Sequence, residues 1–263
     1  MSEVMGIDVS HYQYSINWKK VAASGKKFVV MKAMYEAQSH RIDETFEYNY
    51  KESGSHGLAR GVYIFVGSAS IANPQNDARS LLRILADRPL EYGIWLDYES
   101  ANLRALGKEK IKQLTKIYAD EFRESGYYVG IYCNKDWYNN VIHSDLKKDF
   151  DFWIARYPKN DVGSYCPTSK LRPSKNESVA WQYSSKGRID GIDTFVDLDV
   201  DYDGIVNLLA SSPYRKTNEE IAREVIAGLW GTKSTKPTRR ELLIRAGYDY
   251  DKIQNLVNLY LKK

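Results

Sequence analysis

The residues most able to do chemistry lie in one short stretch, Ile94-Trp95-Leu96-Asp97-Tyr98-Glu99-Ser100. An apolar run carries two carboxylates at i and i+2 and then stops. On a β-strand, alternate side chains share a face, so Asp97 and Glu99 should point the same way with Cα atoms roughly 6–7 Å apart. Two carboxyls held at that range suit the splitting of a glycosidic bond: one stays protonated as the acid, the other stays charged. Asp-x-Glu by itself is a weak signal, because on an exposed strand it is only two solvated acids. The decision rests on whether the chain brings further acids to the same place.

The elements around this stretch are strands alternating with helices. Apolar runs at Val4–Ser10, Lys27–Ala33, Gly61–Gly67, Tyr92–Glu99, Tyr127–Tyr132, Asp151–Arg156, Val179–Tyr183 and Thr194–Asp199 read as strands. Helical spacing falls at Asn17–Ala23, Ile42–Ser53, Asn73–Ala86 and Gly107–Ser125. Such alternation indicates parallel βα units, and about eight strands in roughly 210 residues fit a closed β/α barrel better than an open sheet. No Gly-x-Gly-x-x-Gly follows the first strand and no Walker-type loop occurs, so a nucleotide site has no support. Barrels carry catalytic groups at the C-terminal ends of their strands. Asp8, Asp97 with Glu99, and Asp197 stand at or beside such ends. Four carboxyls converging on one mouth argue against the reading as solvated acids.

The length of 263 residues fits one large domain with a small appendage. Tyrosine is abundant at 21 residues, beside 6 Trp, which suits sugar stacking as well as ordinary packing. No stretch reaches the length of a membrane span, and Met1–Asp8 has neither a basic n-region nor an apolar h-region. Synthesis in the cytoplasm without a secretory signal is therefore expected. Cys133 and Cys166 read as free thiols of a protein made in a reducing compartment. No metal-ligand spacing is present, and no cofactor is expected. Asp199-x-Asp201-x-Asp203-Gly204 imitates the start of a calcium loop, but its twelfth position is Ala210 rather than Glu.

After Leu209 the pattern changes. Residues 210–216 form a short polar linker with Pro213, which separates a domain at 1–209 from a helical module at 217–263. Thr217-x-x-Glu220 and Thr238-x-x-Glu241 are capping boxes, Asp249 caps a third helix, and Gly231 and Gly247 read as helix ends. From Ser212 onward there are 11 Lys/Arg against 6 Asp/Glu, net +5, while the rest holds 27 against 28, net −1. A basic module implies an anionic partner. Nucleic acid finds no support, because no helix-turn-helix or aromatic platform signature accompanies the charge.

Residues 4–200 closely resemble the glycoside hydrolase family 25 muramidases. The resemblance is carried in order by Gly6-Ile-Asp-Val-Ser10 with Gln13, Phe28-Val-Val-Met-Lys32, Gly61-Val-Tyr-Ile-Phe65, Trp95-Leu-Asp-Tyr-Glu99, Gly130-Ile-Tyr132, Trp153-Ile-Ala-Arg156, Trp181-Gln-Tyr183 and Val196-Asp-Leu198. Residues 217–258 resemble a short cell-wall-binding repeat, through Ile221–Gly228, Trp230-Gly231, Ala246-Gly-Tyr248 and Val257-Asn258. Three departures stand out: Tyr35-Glu36-Ala37 replaces a Thr-Glu-Gly turn, Asp199 stands where Asn is usual, and one repeat occurs where tandem copies are common.

The resemblance implies a distorted β/α barrel that cleaves the β-1,4 bond between N-acetylmuramic acid and N-acetylglucosamine. It implies Glu99 as general acid and Asp97 as second carboxylate, with Asp8 and Asp197 beside them. Asp97 either attacks the sugar or steadies the substrate's own acetamido group. Tyr63, Phe65, Tyr132 and Gln182 read as groove lining, with core packing as the alternative. Lys32 reads as an ion-pair partner within the acids, and His11 as a satisfied turn residue. In the tail, Trp230 and Tyr248 are the aromatics able to stack on a muropeptide or to meet an anionic wall polymer; otherwise they are core. The expected whole is a wall-degrading enzyme with a targeting module, of the kind a phage releases at host lysis. A non-catalytic peptidoglycan-binding barrel is the rival from another class. A chitinase is a weaker rival, because its Asp-x-x-Asp-x-Asp-x-Glu strand is missing.

Overall fold

Eight strands close into one barrel in chain order: β1 (Val4–Val9), β2 (Phe28–Lys32), β3 (Ala59–Phe65), β4 (Gly93–Asp97), β5 (Val129–Asn134), β6 (Phe152–Ala155), β7 (Ala180–Gly187) and β8 (Val196–Asp201). The structure is a computed structural model that describes residues 3–35, 40–202, 217–232, 234–235, 238–245 and 248–262. The turn at Glu36-Ala37, the linker at 210–216, the end of the calcium-like segment from Asp203 to Ala210, and the cap at Gly247 lie outside the described residues.

β1 to β7 pair in parallel. β8 is antiparallel to both β7 and β1, so the expectation of parallel units throughout fails at the last strand. The connection explains the reversal. Only residues 188–195 join β7 to β8, and a parallel crossover needs a dozen or more residues, usually with a helix. A hairpin is what remains. It turns β8 so that its start, not its end, reaches the barrel mouth, where Asp197 lies opposite Asp8.

Among the described residues eight α-helices surround the strands: α1 (Trp18–Ala23), α2 (Phe46–Ser55), α3 (Ser68–Ala72), α4 (Pro74–Leu85), α5 (Ala101–Ala105), α6 (Lys108–Glu124), α7 (Lys135–Asn140) and α8 (Leu146–Asp149). Their starts follow from local chemistry. Asn17 and Asn73 accept the backbone N–H of Lys20 and Asn76, and Pro74 takes the first turn of α4, where its missing N–H costs nothing. The α6 stripe of Ile111, Leu114, Tyr118 and Phe122 is buried against the strands, as its spacing predicts.

Alternation along the strands makes two cores. One packs strand faces such as Val29, Val62, Ile94, Leu96 and Ile131 under the helices. The other fills the barrel itself with Phe28, Val30, Tyr92, Trp95, Tyr128 and Trp153. Rings this large fit only because glycines face them. A Cβ on Gly6 would lie 2.3 Å from the Phe28 ring, and one on Gly130 would lie 2.4 Å from Trp95.

Beyond the barrel, α9 (Asn218–Ile226), α10 (Arg239–Arg245) and α11 (Tyr250–Leu261) form a unit with its own apolar cluster of Ile221, Val225, Leu243, Tyr248, Ile253 and Val257. Both capping boxes are made, at Thr217/Glu220 and Thr238/Glu241, and Asp249 accepts from Lys252 N–H at 3.0 Å. The first helix is shorter than its sequence suggests. It ends at Ile226, because Gly228 takes φ +81, and Leu229 is left exposed instead of joining the apolar stripe. Ion pairs meet the barrel helices: Arg240 reaches Asp149 at 2.5 Å, and Lys252 reaches Glu124 at 2.5 Å.

Candidate active site

The chemistry starts from how β4 ends. The strand stops at Asp97, so Glu99 stands in the loop two residues beyond it and not on the strand as expected. Between them Tyr98 is buried, and its hydroxyl meets Thr115 Oγ1 of α6 at 2.7 Å. This anchor turns Tyr98 outward to the helices and leaves both flanking carboxyls on the barrel side.

They line a cavity of about 220 Å³ at the mouth, together with Asp8 from β1 and Asp197 from β8. All four acids expected from the sequence thus face one space. Tyr63, Tyr132 and Gln182 line it too. Phe65 does not: it sits half-buried at the last position of β3, opposite Asp97, outside the cavity lining. Trp153 and Tyr157 complete the walls and were not singled out from the sequence as site residues. The signal was present, since Trp153 sits on an apolar strand in the same inward register as Tyr132. A larger open depression of about 720 Å³ lies beside α2. Its guanidinium groups are already paired, Arg60 with Glu91 and Arg88 with Glu47, and it gathers no acid cluster.

The polar wall is held by direct bonds. Gln182 Nε2–H donates to Asp8 Oδ2 at 2.7 Å. The Gln182 carbonyl accepts from the hydroxyls of Tyr132 at 2.8 Å and Tyr157 at 3.2 Å. Gln182 is therefore fixed from both ends, and a fixed amide fixes Asp8. Gln13 caps its own turn through Ser10 and donates to the Phe195 carbonyl at 3.0 Å, tying the loop after β1 to the start of β8. His11 bonds Asp43 at 2.9 Å and stays out of the cavity lining.

Burial is the main force on the acids. It pushes Asp8 well above the ordinary carboxyl range, helped by the charges of Asp197 and Asp199. It does the same to Asp97, with Glu99 adding repulsion and Lys32 offsetting part of it. Glu99, nearer to solvent, is raised by burial against the opposing charge of Lys32. Asp197 is pushed up to about 6, chiefly by burial. No contact between Lys32 and an acid of the cluster falls within ion-pair distance among the described residues; its ammonium sits 4.9 Å from the Tyr35 ring centre. Its influence on the pair is through space. One Asp97 oxygen is buried with no hydrogen-bond partner among the described residues, which disfavours a charge on that carboxyl. A mouth with several carboxyls unable to ionise together is suited to passing protons to and from a bound sugar.

In the tail, Tyr248 is a core residue at 5 % exposure. Trp230 is half-buried, meets Tyr248 edge-on at 6.0 Å, and donates its indole N–H to Glu224 at 2.9 Å.

A closed barrel with a carboxyl-lined mouth has the layout of a glycoside hydrolase. Residues 7–192 match the glycosyl hydrolases family 25, and the chain belongs to that family as a muramidase that hydrolyses peptidoglycan. Residues 219–261 match the CW_7 repeat. Among relatives, lysozyme M1 of Streptomyces globisporus is 30% identical over 206 residues, covering 74% of this chain and 67% of its own. The solved catalytic domain of an endolysin from a Listeria monocytogenes bacteriophage shares 26% identity at a TM-score of 0.62, covering 80% of this chain and 98% of that one. The bacterial lysozyme of Streptomyces coelicolor has the same fold at a TM-score of 0.61 and 24% identity, covering 80% and 97% of the two chains.

Proposed function

We propose that the barrel-mouth cavity cleaves the glycan strand, with Glu99 as the proton donor and Asp97 as the carboxylate that works beneath it. The observation that carries this reading is the meeting of Asp8, Asp97, Glu99 and Asp197 in one cavity. Depth divides the pair. Asp97 is buried and Glu99 is exposed at the rim, where a glycan lying across the mouth reaches it first. In the free protein the rim carboxyl is the easier of the two to ionise. A bound sugar removes that solvent and raises the Glu99 carboxyl further, so the proton that Asp97 holds in the free protein passes to Glu99, leaving Asp97 charged and Glu99 ready to protonate the leaving oxygen. Asp97 then meets the developing positive charge, by attack on the sugar or by steadying its acetamido group. Asp8 and Asp197 position the substrate and act on the protonation of the neighbouring acids, and Tyr63, Tyr132 and Gln182 line the sugar's path. Phe65 has a place only at the outer rim.

The same proposal gives residues 1–209 the cleavage and residues 217–263 the attachment to the wall, through a muropeptide or an anionic wall polymer. The basic charge of the tail and its match to the CW_7 repeat support this division. Likeness to a phage endolysin domain supports action on the wall after release at host lysis.

Glu99→Gln keeps the shape of the side chain and removes the proton. Turbidity of purified walls should fall at least ~10²-fold more slowly with this variant. Its melting curve should match that of the unmodified protein. Near-normal cleavage by a normally folded Glu99→Gln protein would rule out Glu99 as the acid.

A further inference from the structure

Apart from Tyr48 on α2, every large apolar side chain left exposed on the described barrel stands on a loop or turn at the mouth end. Phe195 is one of them, and unlike the tyrosines in the set it has no hydroxyl to favour that place. It comes just before β8, whose first residues reach the mouth because the strand runs antiparallel. Along β8, Val196, Leu198 and Val200 pack into the core under the helices, and Asp197 lines the cavity. The same alternation puts Phe195 on the cavity side, one step further out than Asp197. That step is roughly 6–7 Å, comparable to one sugar unit along a glycan strand. The backbone is fixed there, because the Gln13 amide donates to the Phe195 carbonyl at 3.0 Å. The Arg188 guanidinium lies over the ring, 4.1 Å from its centre, and donates to the Asp193 carbonyl at 3.2 Å. Arg188 can cover only one face, and Phe195 is still 49% exposed.

We propose that Phe195 is a sugar-stacking shelf at the outer lip of the mouth. It holds one ring of the glycan strand beside the ring at the acids, and so sets how tightly the strand binds. The proposal rests on reading the mouth as the active site. A sugar ring is apolar on the faces where its C–H bonds point and polar around its edge. An aromatic face that is free on one side matches the apolar face and leaves the hydroxyls to water. An exposed apolar ring continuous with a binding cavity is also where a ligand gains most from removing water. The Gln13 bond and the Arg188 contact hold the shelf in place before the strand arrives, so little freedom is lost on binding. The competing role for Phe195 and Arg188 is to brace the β7–β8 hairpin and touch no substrate.

Phe195→Ala removes the shelf and Phe195→Tyr keeps it. Both are made in the Glu99→Gln protein and titrated calorimetrically with soluble glycan strands freed of their peptide stems. The Ala variant should bind about fivefold more weakly than Glu99→Gln alone, and the Tyr variant should bind as Glu99→Gln does. With Glu99 in place, Phe195→Ala should raise KM on the same strands by a similar factor and leave kcat within about twofold. Undiminished binding by the Ala variant overturns the proposal. A loss that Phe195→Tyr fails to restore overturns it too, since the ring would then only brace the hairpin. So does a loss seen only with strands that keep their stems, because the shelf would then meet peptide and not sugar. Should the Ala variant not fold, Phe195→Leu keeps the apolar bulk without the ring, and the same weakening is expected of it. The titration needs no turnover, so its failure is distinct from a failure of the active-site assignment, which Glu99→Gln tests by cleavage.

Discussion

Asp97 and Glu99 differ in depth more than in chemistry, and that difference makes stability depend on pH. The Asp197 carboxyl, raised chiefly by burial to about 6 in the folded chain, has a value of about 3.9 when unfolded. A group raised by folding binds more protons in the folded state. Its support for the fold is complete below about pH 4 and is lost as pH rises through about 6. Asp8, Asp97 and Asp199 run in the same direction. Asp43 and Asp161 run the other way: burial acts to raise them, but hydrogen bonds from Thr45 and from Ser184 with its neighbours outweigh it. Their support is present above about pH 4 and fades in stronger acid. The barrel should therefore melt higher at about pH 5 than at about pH 8, and Asp197→Asn should flatten that drop. A Tm that climbs from pH 5 to 8 would contradict the buried-acid assignment. At this scale the acids were legible, because Asp8, Asp97, Glu99 and Asp197 stand beside apolar runs that announce strand ends. Tyr157 was not, since it follows β6 in a loop whose path no periodicity describes. Asp199 was visible as a residue, but its burial beneath Asp8 depends on the direction of β8.

That direction is a matter of elements. Strand–helix alternation was readable through β5, and it misled at the end of the chain, where β6 to β8 are joined without regular helices. The short β7–β8 connection held the information: residues 188–195 allow only a hairpin, so Asp197 reaches the mouth from a strand's beginning. The β4 boundary was harder to read. Tyr92–Glu99 looks like one apolar strand, but Tyr98 bonds to Thr115 and the ladder stops at Asp97. The glycines opposite the interior rings carry a prediction. A methyl at Gly130 would sit 2.4 Å from Trp95, a fully buried ring packed against Tyr92, Tyr128 and Trp153. Gly130→Ala should cost about 1–3 kcal/mol by overpacking. Thermal or urea unfolding checks it, and an unchanged midpoint would mean that the interior rings are looser than their contacts indicate.

For the whole molecule, the apolar clusters of barrel and tail share no residue. The ion pairs at Arg240–Asp149 and Lys252–Glu124 involve partly exposed groups, which contribute about 0–1 kcal/mol each. Truncation after Ser212 should leave a folded barrel that cleaves soluble wall fragments and binds intact walls poorly. An insoluble or wall-binding truncation would overturn the two-module reading. Wall binding by the full chain should weaken in part as the Debye length falls from about 10 Å at 0.1 M salt to about 3 Å at 1 M, leaving a salt-resistant fraction. Trp230→Ala should remove that fraction with the tail helices intact by circular dichroism. Tyr248→Ala should instead unfold the tail, because Tyr248 is core. The starts of the tail's helices, with their caps at Thr217, Thr238 and Asp249, and its charge were legible from the sequence, whereas the end of the first helix was not. Which aromatic is core was not, because Gly228 ends the first helix early and changes what Trp230 and Tyr248 face.

The most direct test of the central assignment is mass spectrometry of the fragments released from purified peptidoglycan. Cleavage of the bond on the N-acetylmuramic acid side should leave N-acetylmuramic acid at every new reducing end. New reducing ends on N-acetylglucosamine, or fragments cut only in the peptide stems, would contradict muramidase action by this barrel.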